Sequence, residues 1–161
     1  MTRRTPARKS ALEYAVNALT RRAYSSAELR KKMQEKQYAP QETESVLQLF
    51  LAKGFLNDTL YAENMASALQ NRGDGKKKIA GKLRLKGISP EIISGVLEAM
   101  EQETPEEEAA FVSLLKKKNF LLRETDGRKR KEKALRHLCS RGFSVSSAFS
   151  AWERFLQEKE L

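Results

Sequence analysis

The chain carries one histidine and one cysteine, His137 and Cys139, and their closeness in sequence is the first arrangement that could do chemistry. A metal chelate, or a thiolate with its base, needs both side chains aimed at one point. Two positions apart on a helix, they diverge by about 200°, so they cannot share an ion and both are assigned to packing. With a single histidine, no Ser-His-Asp triad, Glu-x-x-His pair or histidine-rich metal site takes shape. Gly73-Asp74-Gly75-Lys76-Lys77 has the composition of a phosphate loop, but the pattern fails in register. Ahead of Gly81-Lys82, Lys76 stands where the first glycine belongs, and Leu83 replaces the serine or threonine. The carboxylates Glu101, Glu103, Glu106, Glu107 and Glu108 could form a metal or acid–base site. Around Pro105 they read instead as a solvated helix start, favoured by the helix dipole. The expectation is a protein that is not an enzyme, with no catalytic residue, cofactor or metal.

Binding chemistry is better represented. Arg72, Lys76, Lys77, Lys78, Lys82, Arg84 and Lys86 crowd one segment against Asp74 alone, and Arg128, Lys129, Arg130, Lys131, Lys133, Arg136 and Arg141 crowd another against Glu132. One such run would be a solvated helix face. Two runs at equivalent places in a repeated chain point to a shared electrostatic surface that meets phosphates or acidic side chains. No base-reading helix stands out. The candidate contact residues are Arg72, Lys76, Lys77, Lys78, Lys82 and Arg84, with Arg128, Lys129, Arg130 and Lys133.

The elements that must position these residues recur along the chain. Lys36-Gln37-Tyr38-Ala39-Pro40, Lys86-Gly87-Ile88-Ser89-Pro90 and Arg141-Gly142-Phe143-Ser144-Val145 fall at offsets of 86 − 36 = 50 and 141 − 86 = 55. Leu29 and Met33 map to Ile79 and Leu83, then to Ala134 and Leu138; Val46 and Leu47 map to Val96 and Leu97, then to Ala151 and Trp152. The longer second offset places an insertion near Leu122 to Gly127. Apolar spacings of three, four and seven suit helices, and no stretch alternates as a strand. Ser25 with Glu28 forms a capping pattern, Ser89 precedes Pro90 as an N-cap, Pro40 opens another helix, and Gly54, Gly87 and Gly142 end helices.

The expected helices are 10–22, 26–36, 40–53, 58–72, 76–86, 90–103, 106–119, 128–141 and 145–158, three per repeat. The fold class is all-α, with a basic tail at 1–9 and repeats at 10–57, 58–104 and 105–161. Ile79 and Leu83 should face inward and Lys77, Gly81 and Arg84 outward; Leu135, Leu138 and Cys139 inward, and Arg130, Lys133 and His137 outward. Trp152, Phe111, Phe143 and Phe155 are expected in the core.

Composition sets the class of partner. The 161 residues include 31 Lys+Arg against 21 Asp+Glu, a net charge of +10, and the sequence pI is near 9.8. Polyanions and acidic proteins are the favoured partners. A 40% hydrophobic content and a mean hydropathy of −0.63 allow an ordinary core in one or two domains. No apolar run approaches the ~20 residues of a membrane span, and Glu13 and Asn17 interrupt the stretch after the basic start, so neither signal peptide nor membrane anchor is expected. A lone cysteine cannot form an intramolecular disulfide, and the expected compartment is the cytoplasm.

Three strings resemble a known family. They are Tyr24-Ser25-x-x-Glu28-Leu29-x-x-Lys32-Met33, Gly54-Phe55-Leu56-Asn57-Asp58-x-x-Tyr61-Ala62 and Gly75-x-x-x-Ile79-x-x-x-Leu83-x-x-Lys86-Gly87-Ile88. From about Ala11 to Phe155 the chain resembles the RecX regulators of bacterial recombination, most closely in its first two repeats. The resemblance implies an elongated modular array of three-helix units that binds the RecA filament on single-stranded DNA. It also implies that filament growth, ATP hydrolysis, strand exchange and co-protease activity are limited. The implied partners are RecA and single-stranded DNA, with weaker contact to duplex DNA allowed; a monomer is expected. The residues alone also admit a helical DNA-binding transcription regulator, or a repeat scaffold that binds acidic proteins.

Overall fold

The computed structural model describes residues 9–158; of the expected basic tail only Lys9 falls within them, and residues 1–8 lie outside the described residues. Among the described residues the chain is all helical, with ten helices and no strand. Contacts divide it into two compact units. The first holds the described residues through Tyr61 together with Lys86–Ile88, and the second holds Ala62–Leu85 together with those from Ser89 onward.

The first unit contains α1 (Ala11–Leu19), α2 (Ser26–Glu35), α3 (Pro40–Ala52) and the first turn of α4 (Asp58–Asn71). Ser10 with Glu13 and Ser25 with Glu28 form capping boxes that satisfy the free N–H groups opening α1 and α2, and Pro40 starts α3. Ala15, Leu29, Met33, Val46, Leu47, Phe50 and Leu56 close the core. Helix α1 ends at Leu19, short of the expected Arg22, and Arg22 instead lays its guanidinium 3.6 Å over the Tyr24 ring.

The second unit contains the rest of α4, then α5 (Lys76–Leu85), α6 (Pro90–Glu103), α7 (Glu106–Leu115), α8 (Lys118–Leu122), α9 (Gly127–Arg141) and α10 (Val145–Gln157). Its largest cluster gathers Phe111, Leu114, Leu121, Ala134, Leu138, Phe143, Ala151, Trp152 and Phe155. All four expected core aromatics are buried there. The third repeat departs from the three-helix expectation, because the helix expected over 106–119 stops at Leu115 and a separate short helix, α8, comes after it. Turning the chain at Lys116 and Lys117 lets Leu121 enter the cluster with Phe111 and Leu138. Cys139 is exposed rather than inward. Ala134 and Leu138, four apart, fill the inner stripe of α9, and Cys139 lies one residue of rotation past it.

The ends of α2, α5 and α9 make one comparison across the repeats. Gly87 and Gly142 come after α5 and α9 with φ of 72° and 91°, and the equivalent residue after α2 is Gln37 with φ of 60°. A side chain in that left-handed region costs about 1–2 kcal/mol. Gln37→Gly should therefore raise the melting midpoint by about 2–4 °C, after the looser unfolded chain is allowed for. Thermal circular dichroism reads this, and a lower midpoint would show that the Gln37 side chain holds its own turn.

Candidate functional site

The basic residues singled out by the sequence divide into tied and untied groups. Asp74, only 2% exposed, lies just past α4 in a turn held by its own N–H, which donates to Leu69 O at 3.0 Å. Its carboxylate gathers three cations: Lys82 Nζ at 2.7 Å, Arg141 Nη1 at 2.8 Å and Lys78 Nζ at 3.1 Å. Burial alone would raise this carboxyl, but hydrogen bonds from Lys82, Arg141 and Lys78 overcome it and hold the pKa at about 2. Lys78 and Lys82 are thus committed to an internal anion.

The backbone around this cluster is closely docked. Gly75 N donates to Arg141 O at 2.7 Å, and Lys77 N to Gly142 O at 3.2 Å, which brings the start of α5 onto the end of α9. The same scheme occurs within the first unit, where the start of α2 meets the turn after α5. Ser25 Oγ donates to Lys86 O at 2.5 Å, and Lys86 Nζ meets Glu28 at 2.7 Å. Ser25 and Gly75 differ by 75 − 25 = 50, and Lys86 and Arg141 by 141 − 86 = 55, the offsets of the repeat itself. Glu28 also accepts from Tyr61 OH at 3.0 Å and from Arg22 at 3.5 Å. Burial opposes its ionisation, yet Lys86, Tyr61 and Arg22 bring the carboxyl to about 2, while burial and Glu28 push the Tyr61 phenol up to about 12.

Acids and carbonyls engage several of the remaining candidates. Lys76 pairs with Glu101, and Lys133 with Glu124; Arg130 donates twice to Glu124 O, at 2.8 and 2.5 Å. Arg128 is almost fully exposed and only 3.7 Å from Glu132, a pair of little energetic weight. Arg72, Lys77 and Arg84 are exposed, with no side-chain partner among the described residues, and the exposed Lys129 meets Glu124 only as a charge attracted at a distance. His137 is partly buried, and burial followed by Arg141, Lys117 and Lys78 lowers its pKa. Among the described residues no group of three or more His, Cys, Asp or Glu side chains is placed to hold a metal ion, and no helix is long and apolar enough to cross a membrane. Sequence reasoning missed the role of the buried Asp74 and the partly buried Glu28 as anchors. The signal available was the single acid in the 72–86 run, four residues before Lys78 on a helical spacing.

Residues 11–48 match a family model described as RecX, first three-helix domain, and residues 57–97 match RecX, second three-helix domain. The regulatory protein RecX of Haemophilus influenzae is 40% identical over 134 residues, covering 83% of this chain and 86% of the relative. The chain belongs to the RecX family. The regulatory protein RecX of Vibrio vulnificus is 30% identical over 140 residues, covering 87% of this chain and 89% of its own length. The crystal structure of RecX from Lactobacillus salivarius superposes with a TM-score of 0.78 at 20% identity, over 89% of this chain and 93% of that one. A second crystal structure, of a regulatory protein RecX, gives 0.75 at 23% identity, over 89% and 70%. At those identities the structures speak for the RecX fold alone. The repeated seating of one helix start on another helix's terminal turn is therefore a feature carried by a RecX chain.

Proposed function

We propose that this chain regulates the RecA recombinase by binding the RecA filament on single-stranded DNA, so that filament growth, ATP hydrolysis, strand exchange and co-protease activity fall. Membership of a family of regulatory proteins named RecX carries the reading, and the net charge of +10 supports a polyanionic partner. In this reading the protein works in the cytoplasm as a monomer, its repeats at 10–57, 58–104 and 105–161 serve as successive binding modules, and duplex DNA is a weaker ligand. All ten candidate residues contribute positive potential, but in different ways. Arg72, Lys77, Arg84, Arg128 and Lys129 make contact directly, while Lys76, Lys78, Lys82, Arg130 and Lys133 are held by acids or carbonyls and shape the surface.

Added to RecA on single-stranded DNA, the protein should slow ATP hydrolysis and shorten filaments; no effect at a large excess over RecA sinks the reading. A sequence-specific footprint on duplex DNA would favour a transcription regulator instead. Lys77→Glu with Arg84→Glu should raise the inhibitory concentration about tenfold and reduce the salt slope by about 1 per residue. Unchanged inhibition and salt dependence would remove the α5 face from the contact.

A further inference from the structure

The element that sets the third repeat apart is α8, five residues long, and Leu121 is its one fully buried side chain, at the cluster around Phe111 and Leu138. The preceding residue, Phe120, is 59% exposed. Burying a phenylalanine removes a large apolar surface from water, so leaving this one exposed forgoes stability. Its neighbours are cationic. Lys117 and Arg123, three positions before and after, share its side of the helix, and Lys118 opens the helix between them. None of these three cations has a side-chain partner among the described residues, whereas the adjacent Lys116 is engaged with Asn71 O at 2.6 Å.

The other exposed phenylalanines are differently placed. Phe149 lies under Lys131 Nζ at 5.1 Å, so a cation already covers its ring. Phe55 meets Phe50 edge-on at 5.7 Å beside Val16 and Leu19, in an apolar setting. Phe120 combines an uncovered ring with flanking unpaired cations. That combination fits a polymer that offers a flat π-face and a negative charge at every residue. Single-stranded nucleic acid does so, whereas a duplex hides its base faces in the stack.

We infer that α8 is a stacking platform for single-stranded DNA: one unpaired base lies on Phe120, and Lys117, Lys118 and Arg123 take the adjoining phosphates. The inference deepens the filament reading, which supplies this polymer, by giving it a point of contact outside the two long basic runs. Helix α8 is set in the third repeat by Leu121, so the ring is presented on an anchored element rather than on a free loop.

The test uses the full chain and two labelled oligomers of equal length, oligothymidine and its abasic counterpart, followed by fluorescence anisotropy without RecA. The parent should prefer the thymidine oligomer. Phe120→Ala should weaken that binding about tenfold, in line with the loss of one stacked base, and leave the abasic oligomer unaffected; Phe120→Trp should restore the preference. Lys118→Glu with Arg123→Glu should weaken both oligomers. Because Phe120 is exposed, the melting midpoint of Phe120→Ala should match the parent's. The platform is overturned if Phe120→Ala binds thymidine as the parent does, if it loses both oligomers equally, or if the parent binds neither. A parent that binds thymidine through Phe120 yet leaves RecA hydrolysis unchanged keeps the platform and removes the filament reading. One that inhibits hydrolysis while Phe120→Ala has no effect on either oligomer does the reverse.

Discussion

Replacing Asp74 by alanine should lower the stability of the second unit by about 3 kcal/mol, and the melting midpoint by about 6–12 °C. The carboxylate is 2% exposed and pairs with Lys78, Lys82 and Arg141 together, so its removal leaves three like charges converging on an empty space. Each of those cations keeps about a third of its side chain in water, so they can turn outward, which holds the loss to the lower end of the range for a broken buried pair. Asp74→Asn keeps the shape and some hydrogen bonding, and should cost about 2 kcal/mol. A midpoint within a degree of the parent's would show that the cluster contributes nothing.

The same cluster sets an acid limit. The Asp74 carboxyl is depressed from 3.8 to about 2 in the folded chain, so the unfolded chain binds its proton first as pH falls. Its contribution is complete above about pH 5 and is lost as pH drops through about 2. In Asp74→Asn that part of the acid loss should vanish. Glu28, also held at about 2, retains its own share in the first unit. Function separates two roles for Asp74. If net charge alone drove binding, Asp74→Asn would bind polyanions more tightly because three cations are released. If the docked arrangement matters, inhibition of RecA should weaken despite the added charge.

The sequence made some of this visible and hid the rest for identifiable reasons. Ser25 with Glu28, Ser89 before Pro90, and Gly87 and Gly142 after their helices are local signals that depend on a few neighbouring residues, and each holds its expected place. Trp152 and Phe155, three apart on one face of α10, are buried for the same local reason. The break after Leu115 was hidden, because Lys116 to Asn119 continues a helical composition and only the demand to bury Leu121 stops it. The division of the lysines was hidden more deeply. Asp74 and Lys78 are four apart and readable on a helix, but Asp74 and Arg141 are 67 apart, and Glu28 and Lys86 are 58 apart. Charge density along a string shows how many cations there are, whereas tertiary contact decides which are held by acids.

Those long-range contacts depend on backbone closeness, and Gly142→Ala should be as damaging as the loss of Asp74, at about 3–4 kcal/mol. Its φ of 91° already disfavours a side chain. A Cβ there would also lie 2.6 Å from Lys78 N and 2.7 Å from Lys78 Cβ, neither of which can swing aside. Gly75→Ala tests the opposing surface without the φ penalty, since its Cβ would stand 2.7 Å from Gly142 C and Phe143 N. Either substitution must part the bonds from Gly75 N to Arg141 O and from Lys77 N to Gly142 O, and so loosen Arg141 from Asp74. Gly54→Ala is the control: φ is 75°, yet nothing lies within 4 Å of the added carbon, so the cost is the conformational one alone, about 1 kcal/mol. Urea titration of the three variants should rank Gly142→Ala as most destabilised, then Gly75→Ala, then Gly54→Ala. Amide hydrogen exchange should place the loss in the first two at Gly75 and Lys77. Equal costs for Gly142→Ala and Gly54→Ala would mean that left-handed backbone, and not the approach of α5 to the end of α9, is what glycine serves at residue 142.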